Sequence, residues 1–321
     1  LKLVLQSPVV LGLGWPCHRH GVIFLAQPQS SKVQAPTPTA AAEMCCVDCC
    51  STVTEEPLQV VVQNHPLTLS GEKDEAEAAQ AAGAKLEASI NDDGLYEGQW
   101  QDKLRHGYGV QTWADGAKYS GQWVNGKADG DGQFEHRNGD KYNGQWKDDA
   151  AHGFGIFTRY DGSKYEGHWL SNRQHGSGIE TWTDGARFEG QYVQGKKHGE
   201  GKFSWNDDSH YTGQFHENSI HGNGTYCWGD DRRYKGQWSR NRMHGDGLFE
   251  WTDGRSYNGQ YKDDHKDGHG VFKWQNGGVY DGAWKDGKQH GIGTYVTPKG
   301  EKREGEWDRG KRIRWLDAED G

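Results

Sequence analysis

Large aromatic side chains recur along the second two-thirds of this chain with a period of 23 residues. Tyr96, Tyr119, Tyr142, Tyr165, Phe188, Tyr211, Tyr234, Tyr257 and Tyr280 open nine units without insertion or deletion, and the register continues to Arg303, where the ring is lost. Two positions after each start stands a glycine, from Gly98 to Gly305. Two further on stands a second ring: Trp100, Trp123, Trp146, Trp169, Tyr192, Phe215, Trp238, Tyr261, Trp284 and Trp307. Counted from the unit start, these are offsets 0, 2 and 4, so they alternate along one face of a short strand. Offsets 11, 13, 15 and 17 alternate as well, as in Gly199, Gly201, Phe203 and Trp205, and predict a second strand in each unit.

The connection between units reads Thr-Asp-Gly at Thr183–Gly185 and Thr252–Gly254. A two-residue turn would set the rings of the two strands on opposite faces. A three-residue loop with glycine in the left-handed conformation puts Trp182 opposite Ala186 and gathers all rings on one face, so that loop is expected. Offset 2 then pairs with offset 13, and 0 with 15, on both sides of every strand. A row of glycines crosses the sheet and leaves room for the neighbouring rings to lie down on it. The expected fold is all-β: an elongated single-layer antiparallel sheet, or solenoid, of about nine tandem β-hairpins. Its roughly 18 strands would run about 85 Å before twist.

Composition agrees with a thin, ring-packed sheet. Only 32% of the residues are apolar, while there are 48 glycines, 15 Trp and 14 Tyr. Poor aliphatic content argues against a thick two-layer core, and aromatic richness argues against simple disorder. The net charge is −9, with −6 of it before residue 94 and −3 after. No basic footprint for nucleic acid is present, and no apolar run is long enough for a transmembrane helix.

A His-Gly pair also recurs, followed two residues later by glycine, as at His106-Gly107-Tyr108-Gly109. Together with Tyr96-Glu97-Gly98-Gln99-Trp100, this resembles the MORN repeat, Tyr-x-Gly-x-Trp, an Asn-Gly-type loop, then His-Gly-x-Gly. The resemblance covers about residues 94–315. Asp129 and Asp267 replace the His, Asp208 and Asp231 replace the turn glycine, and the tenth unit stops after Trp307. The resemblance implies a non-catalytic scaffold for protein partners, a membrane surface or both, since junctophilins use such repeats at the plasma membrane and radial spoke head proteins use them in cilia. Some phosphatidylinositol phosphate kinases and SET methyltransferases carry the repeats before a catalytic domain. The regulatory repeat region of a truncated lipid kinase is therefore the alternative; a chain extending past Gly321 into a kinase domain would favour it. The ending Arg312-Ile313-Arg314-Trp315 before an acidic tail, 316–321, reads as a natural terminus. A cytoplasmic location is expected, peripheral on a membrane or on a cytoskeletal structure.

Residues 1–93 are expected to be disordered, targeting or linker sequence. Leu3–Gly14 is apolar and Gln27–Ala42 is rich in Pro, Ala, Ser and Thr. The first 43 residues read either as a signal or transit segment or as sequence upstream of a start at Met44; the missing initiator favours the second. Cys45, Cys46, Cys49 and Cys50 form the densest short feature. Adjacent cysteines close a zinc tetrahedron poorly without a distant ligand pair, so they are lipidation candidates. Residues 72–90 read as an Ala/Glu-rich helix.

Enzyme motifs fail on spacing. His216 and His221 imitate a zinc-protease pair but stand five apart, off a common helix face. Seven of the nine units carry the His of the His-Gly pair, which makes it a loop former rather than a catalyst. The Gly-x-Gly fragments lack a strand–loop–helix context for phosphate. No catalytic, cofactor or metal site is expected. The interaction surface expected is an exposed aromatic row of Trp146, Trp169, Trp182, Trp205, Trp228 and Trp251. Lys196, Lys197, Arg232, Arg233, Lys235, Lys311, Arg312 and Arg314 are the lipid-contact candidates; the bland reading of each cluster is a solvated loop.

Overall fold

A computed structural model describes residues 87–91 and 94–316. Within them the chain is one open sheet of 21 strands with no helix. Each strand runs antiparallel to the strands before and after it in sequence. The edge strand β1 (Glu87–Asn91) pairs with β2 (Gly94–Gln101), which pairs with β3 (Leu104–Thr112). The pattern repeats through Lys302–Asp308 and Lys311–Trp315 at the other edge.

The register follows the glycine rows. Gly98 faces Gly109, which faces Gly121 of the next unit, and Tyr119 faces Gln111 on one side and Phe134 on the other. The three-residue loop forms as the ring pattern requires: the Trp182 amide donates to the Ala186 carbonyl at 2.9 Å, and Gly185 takes φ 90°. Within each repeat, a two-residue turn joins the strands. Ser171 and Asn172 occupy one such turn at φ 47° and 64°, the double left-handed geometry that matches the twist of a hairpin.

These turns also lock one repeat to the next. Asn172 Oδ1 accepts from the Ala151 amide at 2.7 Å, and Asn218, Asn241 and Asp264 do the same with Lys197, Ile220 and Met243. The indoles at offset 4 from Trp123 to Trp284 add a second clamp, as Trp146 Nε1 donates to Gly132 O at 2.9 Å and Trp169 Nε1 to Gly155 O at 3.1 Å.

Three expectations need correction. The His-Gly pair is not in a loop; it lies inside the second strand at a bulge, where Gly107 has φ 64° and Gln99 Oε1 accepts from the Tyr108 amide at 3.0 Å. The segment Glu87–Ile90 is strand rather than helix, because it covers the free edge of β2, with Ser89 opposite Tyr96. The remainder of the expected helix lies outside the described residues. The sheet also extends past nine hairpins: the tenth unit, which lacks the first ring, still pairs Gly305 with Trp315 and Asp308 with Lys311, since ladder bonds need only main chain.

The core is a chain of rings on one face. Tyr119 stands edge-on to Trp123 at 5.0 Å and to Trp146 of the next repeat at 5.2 Å. The same contact continues from Trp100 to Trp307 without a break, each worth ~0.5–1.5 kcal/mol beyond area burial. The offset-0 hydroxyls donate to main chain three residues on, as Tyr142 does to Gln145 O at 2.9 Å, and burial pushes their pKa values up.

Candidate functional site

The ring face carries a second row, at offsets 15 and 17, parallel to the first. From Trp182 it runs through Phe203, Trp205, Tyr226, Trp228, Phe249, Trp251, Phe272, Trp274 and Tyr295 to Trp315, with neighbouring centroids 4.3 to 6.4 Å apart. This row is only half covered. Trp205, Trp251, Trp274, Tyr295 and Trp315 are partly buried, whereas the offset-4 rings from Trp123 to Trp307 are sealed against the preceding repeat.

The expected exposed row therefore divides. Trp146 and Trp169 are each 3% exposed and belong to the core, because each packs against two rings of the preceding repeat, Tyr119 and Phe134 for Trp146 and Tyr142 and Phe157 for Trp169. Trp182 and Trp228 are buried as well, while Trp205 and Trp251 keep an open edge. Trp274, Tyr295 and Trp315 share the open row. The offset that marks Trp205 and Trp251 marks Trp274 too; Trp315 had no such signal. Trp182 Nε1 and Trp228 Nε1 are buried donors without an acceptor, unlike the offset-4 indoles.

The open row is interrupted in the second to fourth repeats, where His136 and Arg159 take the place of Trp and Glu180 that of Phe. Glu180 is 3% exposed. Its Oε2 accepts from Lys197 Nζ at 2.8 Å and from the Tyr192 hydroxyl at 3.1 Å, and Arg159 Nη2 stands 3.9 Å from Oε1. Burial draws the Lys197 pKa down against the pull of Glu180 and pushes the Tyr192 hydroxyl up.

That buried pair removes Lys197 from the lipid-contact candidates. Strand alternation disperses the others. Lys196 bonds Glu217 at 3.0 Å at a turn. Arg232 lies over Trp228 on the ring face and bonds Asp230 at 2.7 Å, while Arg233 faces Glu250 at 3.8 Å on the opposite face, which also carries Lys235. Arg312 stacks on Trp315 at 4.2 Å, Arg314 bonds Glu306 at 2.8 Å, and Lys311 is exposed at the edge strand. They do not form one patch. Cys45, Cys46, Cys49 and Cys50 lie outside the described residues.

His198, His216 and His221 occupy the opposite face. They stack with centroids 5.0 and 5.6 Å apart, and His216 and His221 sit on neighbouring strands. Among the described residues no His, Cys, Asp or Glu cluster could hold a metal. The two departures from His are explained by partners one repeat on: Asp129 bonds Lys147 and Asp267 bonds Lys285, both at 2.9 Å.

Lys266 was not foreseen. Its Nζ stands 4.4 Å from the Phe272 centroid, 4.8 Å from Trp284, 4.9 Å from Tyr257 and 5.1 Å from Trp251. Burial, then the Arg255 charge, lowers its pKa from 10.5 to about 8. The folded chain thus binds fewer protons than the unfolded chain between these values. The cost of the buried charge is full below pH 8, and stability should rise as pH climbs from 8 towards 10.5. Urea melts of wild type should gain about 2–3 kcal/mol over this window relative to Lys266→Met. Parallel pH profiles would refute the assignment.

The MORN repeat model matches residues 96–118, 119–141, 142–164, 165–187, 188–210, 211–231, 234–254, 257–279 and 280–302, so the chain belongs to the MORN-repeat family. Structural likeness is weaker. The Drosophila melanogaster Sas-4 (dCPAP) TCP domain, solved with a proline-rich motif of Ana2 (dSTIL), is 13% identical, with TM-score 0.31 over 55% of this chain and 90% of that one. The Danio rerio CPAP TCP10 domain is 12% identical, with TM-score 0.25 over 72% and 100%. No functional argument rests on either. No curated protein matches the chain.

Proposed function

We propose that this chain is a non-catalytic scaffold that captures a protein segment along the open ring row from Trp205 to Trp315. The observation that carries this reading is the contrast between the two rows. One is sealed by its neighbours, and its indoles from Trp123 to Trp284 bond main-chain carbonyls; the other is continuous, half open and includes a buried indole donor, Trp228 Nε1, without an acceptor. Contiguous open aromatic surface suits an extended segment whose side chains drop between rings.

Attachment to a cytoplasmic membrane face through acylated Cys45, Cys46, Cys49 and Cys50 is the secondary part of the proposal, since two acyl chains anchor stably. Binding of anionic lipid by the array itself is disfavoured by the dispersed basic residues.

Pull-down from the native cell with the full chain tests the main reading. Trp251→Ala with Trp274→Ala should lose the partners that wild type captures, and flotation with phosphatidylserine vesicles should be unchanged. Lost vesicle binding in Arg232→Ala/Arg233→Ala/Lys235→Ala, with capture intact in the Trp variant, would show a lipid module instead.

A further inference from the structure

Lys197 and Lys266 stand at the same offset, three repeats apart, and both point their ammonium groups among rings of the same face. Lys197 Nζ lies 4.9 Å from the Trp182 centroid, 5.1 Å from Phe188 and 5.6 Å from Tyr192, an arrangement close to that around Lys266. What differs is the counter-charge. Lys197 receives it from Glu180 at 2.8 Å. The residue that corresponds to Glu180 three repeats on is Phe249, which stacks on Trp251 at 4.3 Å. Among the described residues no carboxylate stands within ion-pair distance of Lys266.

The surroundings of Lys266 do not make good the loss. The charge that acts on Lys266 is that of Arg255, a second cation. Asp253 Oδ2 already bonds Arg255 Nε at 2.7 Å. Arg255 itself lies 5.3 Å from the Trp251 centroid, so two cations share that ring and one acid serves them. The attraction of ring faces for a cation is weaker than the cost of taking that cation out of water. Lys266 is also only partly buried, and it borders Trp251, which keeps an open edge. An ammonium short of one acid, reachable from solvent, thus stands on the open row.

We infer that Lys266 is an anchor for a carboxylate: an Asp or Glu side chain of the captured segment takes at Lys266 the place that Glu180 takes at Lys197, with Trp251 and Phe272 as its walls. The inference rests on the capture reading above and adds to it the chemistry of the partner, an acidic residue beside apolar ones. The geometry of the completed site is already present in the molecule, three repeats away. A single carboxylate satisfies the Lys197 site, which is why a peptide side chain is the occupant.

The experiment is selection of a random twelve-residue phage-displayed peptide library on the full chain, followed by affinity measurement of selected peptides. Asp or Glu should be enriched at a fixed distance from apolar residues. Affinity should fall about tenfold or more in Lys266→Met and in Lys266→Gln, and Lys202→Met, on the opposite face, should leave it unchanged. Phe249→Glu supplies the acid internally, as Glu180 does, and should block the same peptides while the chain stays folded by thermal melting. Peptides that need Trp251 but carry no acid, or that bind Lys266→Met as tightly as wild type, would overturn the carboxylate anchor and leave the ring-row reading standing. Peptides whose binding ignores Trp251→Ala would overturn the ring-row reading itself.

Discussion

Gly167→Val should unfold the fourth repeat and its neighbours while the distant repeats keep their structure. A Cβ at Gly167 would stand 2.6 Å from the Gly178 Cα and 2.6 Å from the Tyr165 hydroxyl. Neither can yield easily. Gly178 is main chain in the facing strand, and the Tyr165 ring is held from above by Trp169 at 5.2 Å and by its hydroxyl bond to His168 O at 3.0 Å. Overpacking costs ~1–3 kcal/mol in ordinary cores, and the two branches of Val should place this change at the upper end or beyond. Coupling in a linear array is between neighbours, so loss of hydrogen-exchange protection should be concentrated over residues 142–190. Protection there equal to wild type would refute the glycine-row packing.

Glu180→Gln should be the most damaging charge change on the ring face. It takes the carboxylate away from the Lys197 ammonium, 2% exposed, and leaves that charge buried. Removing one partner of a buried pair costs about 3–5 kcal/mol, because the other charge stays behind. The array also contains the remedy. At the same two positions two repeats earlier stand Ala151 and Phe134, both buried. Glu180→Phe with Lys197→Ala should therefore recover most of the loss, to within about 1.5 kcal/mol of wild type. Urea melts of the single and double variants give the coupling directly. A Glu180→Gln cost below about 1 kcal/mol would mean that the pair is not buried as described.

Much of this molecule was legible before its structure was known, and the reason is its strict period. A ring at every second position and a glycine at the same offset in every unit leave one register in which all rings share a face. The three-residue loop at Thr183–Gly185 and the glycine pairing follow from that condition alone. The His-Gly pair shows where such reading stops. Its recurrence marked it as structural, yet whether it sits in a turn or a bulge depends on Gln99, whose side chain crosses to the amide of Tyr108.

Burial depends on what the neighbouring repeat covers, and a single unit does not contain that information. Trp169 and Trp205 are both tryptophans on the same face of the sheet. The indole of Trp169 is bound to Gly155 O and closed over, while that of Trp205 lies at the outer side of the row and stays half open. Charge behaves likewise. Lys197 and Lys196 are neighbours in a basic pair, but alternation turns one into the ring face against Glu180, 17 residues away in sequence, and the other out to Glu217. Periodicity alone thus determined the strands, their register and the face that holds the rings, because alternation and glycine spacing are local properties of the chain. Only the stacked sheet decided which rings remain open, which lysine has its acid and which lacks one, because those are properties of contacts between repeats.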